Sequence, residues 1–165
     1  MSKISVNPYT WVEAEVPKGL DVRQVYGIIF SPDGRVLLLE DDGHYNLPGG
    51  KPENDESFTD TLIREAKEEA QVTIASIGYL GYQLIDIPEA FAQVRLVALV
   101  DGIEHAAPDP STGRQYRRLW VPPTTANEFL DWGGSGDGQI AGAMAAASRL
   151  GVSWSGTPLA YFDFD

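Results

Sequence analysis

Glu65, Glu68 and Glu69 put three carboxylates into five residues. On an α-helix the offsets i, i+3 and i+4 place all three side chains on one face. Like charges this close repel one another, and a helix surface gains nothing from them alone. A hard divalent cation removes the repulsion, because Mg²⁺ takes its ligands from carboxylates, water and substrate phosphates. Upstream lie a glycine pair, Gly49-Gly50, then Lys51, Glu56 and Arg64. Taken alone, Arg64-Glu65-Ala66-Lys67-Glu68-Glu69 is also ordinary helix-surface composition, so the wider spacing has to decide between a site and a solvated face.

That spacing follows a family signature. Gly50, Glu56, Arg64, Glu65, Glu68, Glu69 and the closing aliphatic Val72 fall in the register of the Nudix box, and the chain resembles a Nudix hydrolase over roughly 22–150. Two positions depart from the box: Ala66 is smaller than the usual aliphatic, and Gln71 stands where a glycine ends the helix. A left-handed glutamine there costs roughly 1–2 kcal/mol, so replacement by glycine is expected to stabilise the protein if residue 71 is left-handed.

The resemblance implies an α+β fold, an α/β/α sandwich with a mixed sheet between helices. It implies hydrolysis of a phosphoanhydride bond in a nucleoside diphosphate linked to another moiety, with Mg²⁺ or Mn²⁺. By that resemblance Glu65 and Glu69 are the principal metal ligands. Glu68 holds a further ion or acts through water, and the Gly49 carbonyl completes the set. Glu56 pairs with Arg64 to hold the loop against the helix, and Lys51 reaches a phosphate. Glu65, with Glu68 beside it, is the first choice for catalysis; Glu104 and Asp109 are candidate general bases outside the box. A catalytically silent nucleotide-binding module of the same fold is the rival reading. Pro88, sixteen residues beyond Val72, resembles the ADP-ribose pyrophosphatase pattern, although Asp86-Ile87-Pro88-Glu89 also reads simply as a strand end. Tyr82, Phe91, Tyr116 and Trp120 are aromatics that could stack on a base or fill the core. His44 and His105 read as isolated surface or loop residues.

The elements that must position these groups show in the pattern. Residues 1–21 read as an N-terminal extension or edge strand. Val22 to Ser31 is rich in β-formers, Ser31-Pro32-Asp33-Gly34 is a turn, and Val36 to Leu39 returns, giving a hairpin. A short strand is expected near Tyr45–Leu47. The helix should cover about 56–70, with Phe58, Leu62, Ala66 and Ala70 forming its apolar stripe. Strands follow at Thr73–Ile87, Ala92–Val100 and Arg114–Val121, then a helix at Thr124–Trp132. Residues 133–138 read as a flexible Gly-rich loop, before an alanine-rich helix at Ile140–Leu150.

Composition bounds the rest. A chain of 165 residues fits a single domain spanning 1–165. There is no cysteine, so no disulfide, thiolate nucleophile or sulfur-ligated zinc. Twelve basic against 24 acidic residues give a formal charge of −12, which argues against duplex nucleic acid as a partner. No apolar run approaches the ~20 residues of a membrane span, and no signal peptide is seen, so the cytoplasm is the expected location. The expected partner is a small nucleotide derivative, with a homodimer the assembly that the family often forms.

Overall fold

The computed structural model describes residues 8–152 and the backbone of 162–164. Its elements are β1 (Tyr9–Val12), β2 (Asp21–Phe30), β3 (Val36–Asp41), β4 (His44–Asn46), β5 (Gly49–Gly50), α1 (Phe58–Ala70), β6 (Val72–Ile85), β7 (Phe91–Ile103), β8 (Arg117–Val121), α2 (Pro123–Leu130), α3 (Gly133–Leu150) and β9 (Phe162–Phe164). The strands join in one sheet ordered β1-β6-β7-β2-β3-β8-β9, with β4 paired to β3 and β5 to β2. The β2–β7 pair is parallel and the others are antiparallel, so the sheet is mixed.

Alternation along the central strands builds two cores. Val25, Ile29, Leu37, Leu39, Leu96 and Ala98 face α1, where Leu62, Ala66 and Ala70 lie buried against them. Ile28, Phe30, Val36, Leu38 and Val97 face the other way, onto Ala126, Leu130, Ile140, Ala143 and Ala147 of α2 and α3. This is the expected α+β sandwich. Gly27 lets α1 approach closely, since a Cβ there would meet Leu62 Cδ1 at 2.6 Å. Of the expected stripe only Phe58 is incompletely buried. Among the described residues no helix is long and apolar enough to cross a membrane.

Tyr9–Val12 forms the edge strand expected within 1–21, pairing with β6; residues 1–7 lie outside the described ones. The hairpin is present; β6 begins one residue before the expected Thr73 and ends two before Ile87, β7 runs longer than the expected Ala92–Val100, and their pairing has irregular register at Ala75/Gly78 and Tyr79/Gly81. The strand expected from Arg114 begins only at Arg117.

One expectation is overturned. Residues 133–138 are not a flexible loop but the first turns of α3. Their glycines serve close packing: a Cβ on Gly136 would strike Asn127 Oδ1 at 2.1 Å. Asn127 donates to the Gly133 carbonyl at 2.7 Å and to Asp137 Oδ1 at 2.9 Å, and accepts the Trp132 N–H at 3.0 Å. That amide ties α2 to α3 and holds the glycine-rich turns in helical form.

Candidate active site

Helix α1 begins at Ser57, whose hydroxyl accepts the Asp60 N–H at 3.1 Å, a standard N-cap. It ends at Gln71, left-handed at φ 52°, ψ 41°. The glutamine side chain contributes to this end. Its Nε2 donates to the Glu68 carbonyl at 2.9 Å, and its Oε1 accepts the Ala107 N–H at 3.2 Å. The departure from glycine therefore fastens the 104–114 loop to the helix that carries the glutamates.

Arg64 is the hub of the acidic cluster. Its Nε and Nη2 grip both oxygens of Glu56 at 2.9 Å each. Nη2 also donates to the Lys51 carbonyl at 3.0 Å, and Nη1 reaches Glu65 Oε1 at 3.0 Å and Glu68 Oε2 at 3.3 Å. The Arg64 fork, with the Glu53 N–H second, holds the Glu56 carboxyl at about 2. The same Glu56 contact raises Arg64. The expected loop-to-helix pairing is thus present.

Glu65 and Glu69 behave in the opposite way. Burial above all pushes Glu69 up to about 8; the Gly49 N–H opposes this, and Glu65, Asp109 and Glu68 add to it. Glu65 is raised by burial, against Arg64, with Glu68 and Asp109 adding to the rise. Gly49 meets the cluster through its N–H, which donates to Glu69 Oε1 at 2.8 Å. Gly50 is needed for close approach, since a Cβ there would meet Glu65 Oε1 at 2.3 Å.

The structure separates the two outlying acids. Asp109 is 3% exposed, and its Oδ1 accepts the Ser111 N–H at 2.8 Å. Ser111 Oγ in turn donates to Glu68 Oε2 at 3.3 Å, so this loop closes over the cluster. Glu104 is exposed, and what it offers locally is backbone: its N–H to the Gln71 carbonyl and its carbonyl to Arg118 Nη1. Lys51 is exposed on the loop before α1.

The donor set suits a hard cation. It consists of carboxylate oxygens, and burial and mutual repulsion hold two of them towards the protonated form, a penalty that a divalent ion would relieve. Among the described residues no three acidic or imidazole side chains already converge on one point; Arg64 and the Gly49 N–H take those oxygens instead.

Beside the cluster, a cavity of about 280 Å³ is lined by Tyr26, Asp41, His44, Asn46, Glu69 and Tyr116, among others. A second, of about 400 Å³, shares Tyr26 and Asn46 with it and runs on to Gln83, Arg95, Asp131 and Trp132. Tyr26 and Asn46 thus border both cavities, and Glu69 lines the smaller one.

The sequence model of the NUDIX domain matches residues 21–139. The chain belongs to the Nudix family. It is accordingly a hydrolase of pyrophosphate bonds. Among solved structures, this Nudix protein is similar to MutT from Bacillus halodurans at 23% identity and TM-score 0.56, covering 71% of this chain and 78% of that one. It is similar to the pyrophosphohydrolase RppH of Bacillus subtilis at 26% and 0.53, covering 60% and 63%. A further neighbour is the Ap4A hydrolase of C. elegans at 19% and 0.52, covering 78% and 99%. No curated protein matches the chain.

Of the four aromatics proposed from the sequence, Tyr82, Phe91, Tyr116 and Trp120, Tyr116 alone is among the residues lining these two cavities. Tyr82 and Trp120 are core on the α1 side, and Phe91 lies under Arg23 at 4.2 Å. Pro88 sits in the exposed β6–β7 turn and lines neither cavity. His44 lies on β4 at the smaller cavity, while His105 is exposed. Sequence reasoning missed Tyr26, Asn46, Arg95 and Trp132. The available signal was Arg95 itself, a cation within the apolar run Val94 to Val100.

Proposed function

We propose that this Nudix hydrolase cleaves a phosphoanhydride bond in a nucleoside diphosphate joined to another group, with Mg²⁺ or Mn²⁺. What supports this is the set of three glutamates on one helical turn, Glu65 and Glu68 tied together by Arg64 and to the Asp109 loop through Ser111, next to the cavity that Glu69 lines. Glu65 and Glu69 would be the principal ligands, with Glu68 and the Gly49 carbonyl beside them. When bound, the cation offsets charge on the phosphate oxygens and lowers the pKa of water.

The remaining work falls to the chain. Arg64 fixes Glu65 and Glu68 against the loop, so their carboxylates need little reordering. Lys51, on the same loop, meets phosphate oxygens. Glu65 takes a proton from the attacking water as the new P–O bond forms and the bridging P–O bond breaks. Its raised proton affinity suits a general base. Asp109, held beside it by the Ser111 turn, sustains that basicity through its charge. Tyr26 and Asn46 line the cavity where the substrate leaves the cluster.

The test is a panel of ADP-ribose, dinucleoside polyphosphates, nucleotide sugars and nucleoside triphosphates. With Mg²⁺ or Mn²⁺, a nucleoside monophosphate should appear from at least one. EDTA should stop turnover, and Glu69→Gln should lower it by orders of magnitude while the melting temperature stays close to that of the wild type. Turnover undiminished by EDTA would refute the metal assignment. Nucleotide binding without hydrolysis of any panel member would favour the silent module.

A further inference from the structure

Arg114 stands at the end of the loop that carries Asp109 and Ser111. Its backbone is fixed: its carbonyl accepts the Asp109 N–H at 2.7 Å, and its own N–H donates to Thr112 Oγ1 at 3.2 Å. Gly113, left-handed at φ 74°, closes the same turn by donating to the Asp109 carbonyl at 2.7 Å. The side chain is held far less. It is 65% exposed, and among the described residues its one hydrogen-bond partner is Asp41, whose Oδ2 accepts from Nη1 at 2.5 Å. Among the described residues Nε and Nη2 of the fork have no such partner.

Asp41 in turn lines the cavity beside the acidic cluster, together with Glu69 and Tyr116. The charge of Arg114 is felt there: burial raises the Tyr116 hydroxyl, Glu69 adds to the rise, and Arg114 opposes it. A polyphosphate against the Glu65–Glu69 turn brings further negative charge to a surface that already holds Asp41, Glu69 and Asp109. Arg64 is not free to answer it, because Nε, Nη1 and Nη2 are all engaged by Glu56, Glu65, Glu68 and the Lys51 carbonyl. Arg114 is free. Exposed ion pairs contribute little, so Asp41 holds it weakly, whereas a guanidinium can take a phosphate through two parallel N–H bonds.

Building on the proposed function, the geometry points to Arg114 as a substrate-binding residue that exchanges Asp41 for a phosphate group at the Glu69 cavity. Asp41 is the intramolecular competitor: it parks the guanidinium while the cavity is empty and gives it up to the substrate's anion. The competing role is a strap, in which the ion pair only fastens the 104–114 loop to β3. The two roles differ in sign. A strap is broken equally by the loss of either partner, whereas the loss of a competitor strengthens binding.

The experiment measures binding of ADP and of inorganic pyrophosphate, each with Mg²⁺, by calorimetry, and KM for whichever nucleotide of the panel is cleaved. Arg114→Gln should weaken binding and raise KM by about tenfold, the worth of a charge-assisted hydrogen bond. Asp41→Asn should shift both the other way. Its gain should vanish in the double variant, which should behave as Arg114→Gln alone. Both side chains are at the surface, so all three variants should melt close to the wild type. Weakening by both single variants makes the pair a strap and overturns the assignment. A gain from Asp41→Asn that persists beside Arg114→Gln shows that Asp41 simply repels anions, and overturns it as well; so does a wild-type protein that binds neither probe. Opposite shifts in binding without hydrolysis of any panel member sink the hydrolytic reading and leave this one standing; hydrolysis with Arg114→Gln at the wild-type KM does the reverse.

Discussion

Arg64 uses its fork of donors to join groups that the sequence keeps apart: Glu56 and Lys51 before the helix, Glu65 and Glu68 on it. The pairing has a pH signature. Glu56 is held at about 2 against an ordinary 4.5. A depressed folded-state value stabilises the protein above the unfolded pKa, and that stability is lost as pH falls through the folded one. The Glu56 contribution is therefore complete above about 4.5 and disappears towards about 2. Glu56→Gln should flatten the fall of urea-unfolding stability across that window, and an unchanged slope would show that the fork contributes nothing. Asp109 gives a second test. It raises Glu65, so Asp109→Asn, which keeps an oxygen for the Ser111 N–H, should move the acid limb of the kcat/KM profile to lower pH with modest loss of rate. A collapse of about 10²–10⁴-fold would instead make Asp109 the base. The box residues were legible because their spacing is local. Asp109 was visible only as one of two loop acids, since its place depends on how the 104–114 loop folds onto Gln71.

Helix α1 shows how an element can keep its geometry after losing its usual residue. Gln71 is left-handed, as a helix C-terminus requires, and on conformation alone glycine should be better by roughly 1–2 kcal/mol. The side chain reverses that expectation. It bonds the Glu68 carbonyl and the Ala107 N–H, each bond worth about 1 kcal/mol and each partner costlier if left unsatisfied. Gln71→Gly should therefore lower the melting temperature and loosen the 104–114 loop, seen as faster amide exchange at Ala107. A rise in melting temperature would mean that the backbone term dominates. The same distinction explains what composition misjudged in α3. A run of glycines reads as chain freedom, but here Gly136 is where the Asn127 amide sits, a contact that no local pattern records. Arg95 was hidden for a related reason: strand alternation suggests which face a residue takes, not that the face closes over a cation.

At the scale of the whole molecule, the fold carries a formal charge of −12 and concentrates part of it around the Glu65–Glu69 turn. Any added salt screens the general repulsion, so stabilisation by Mg²⁺ has to be separated from ionic strength. A ligand that binds only the folded state stabilises by mass action, about 2.7 kcal/mol at a hundred times its dissociation constant. At about 2–4 °C per kcal/mol for a chain of this size, the melting temperature should rise by roughly 5–10 °C. NaCl at matched ionic strength should give only the screening part. Glu69→Gln removes a ligand and also relieves a buried, repelled acid, so its metal-free form should melt no lower than the wild type while its Mg²⁺ response shrinks to the NaCl level. That pair of outcomes is what a functional acidic cluster demands, because the groups that destabilise the empty fold are those that hold the ion. An equal response to Mg²⁺ in both proteins would place the bound cation elsewhere on the acidic surface.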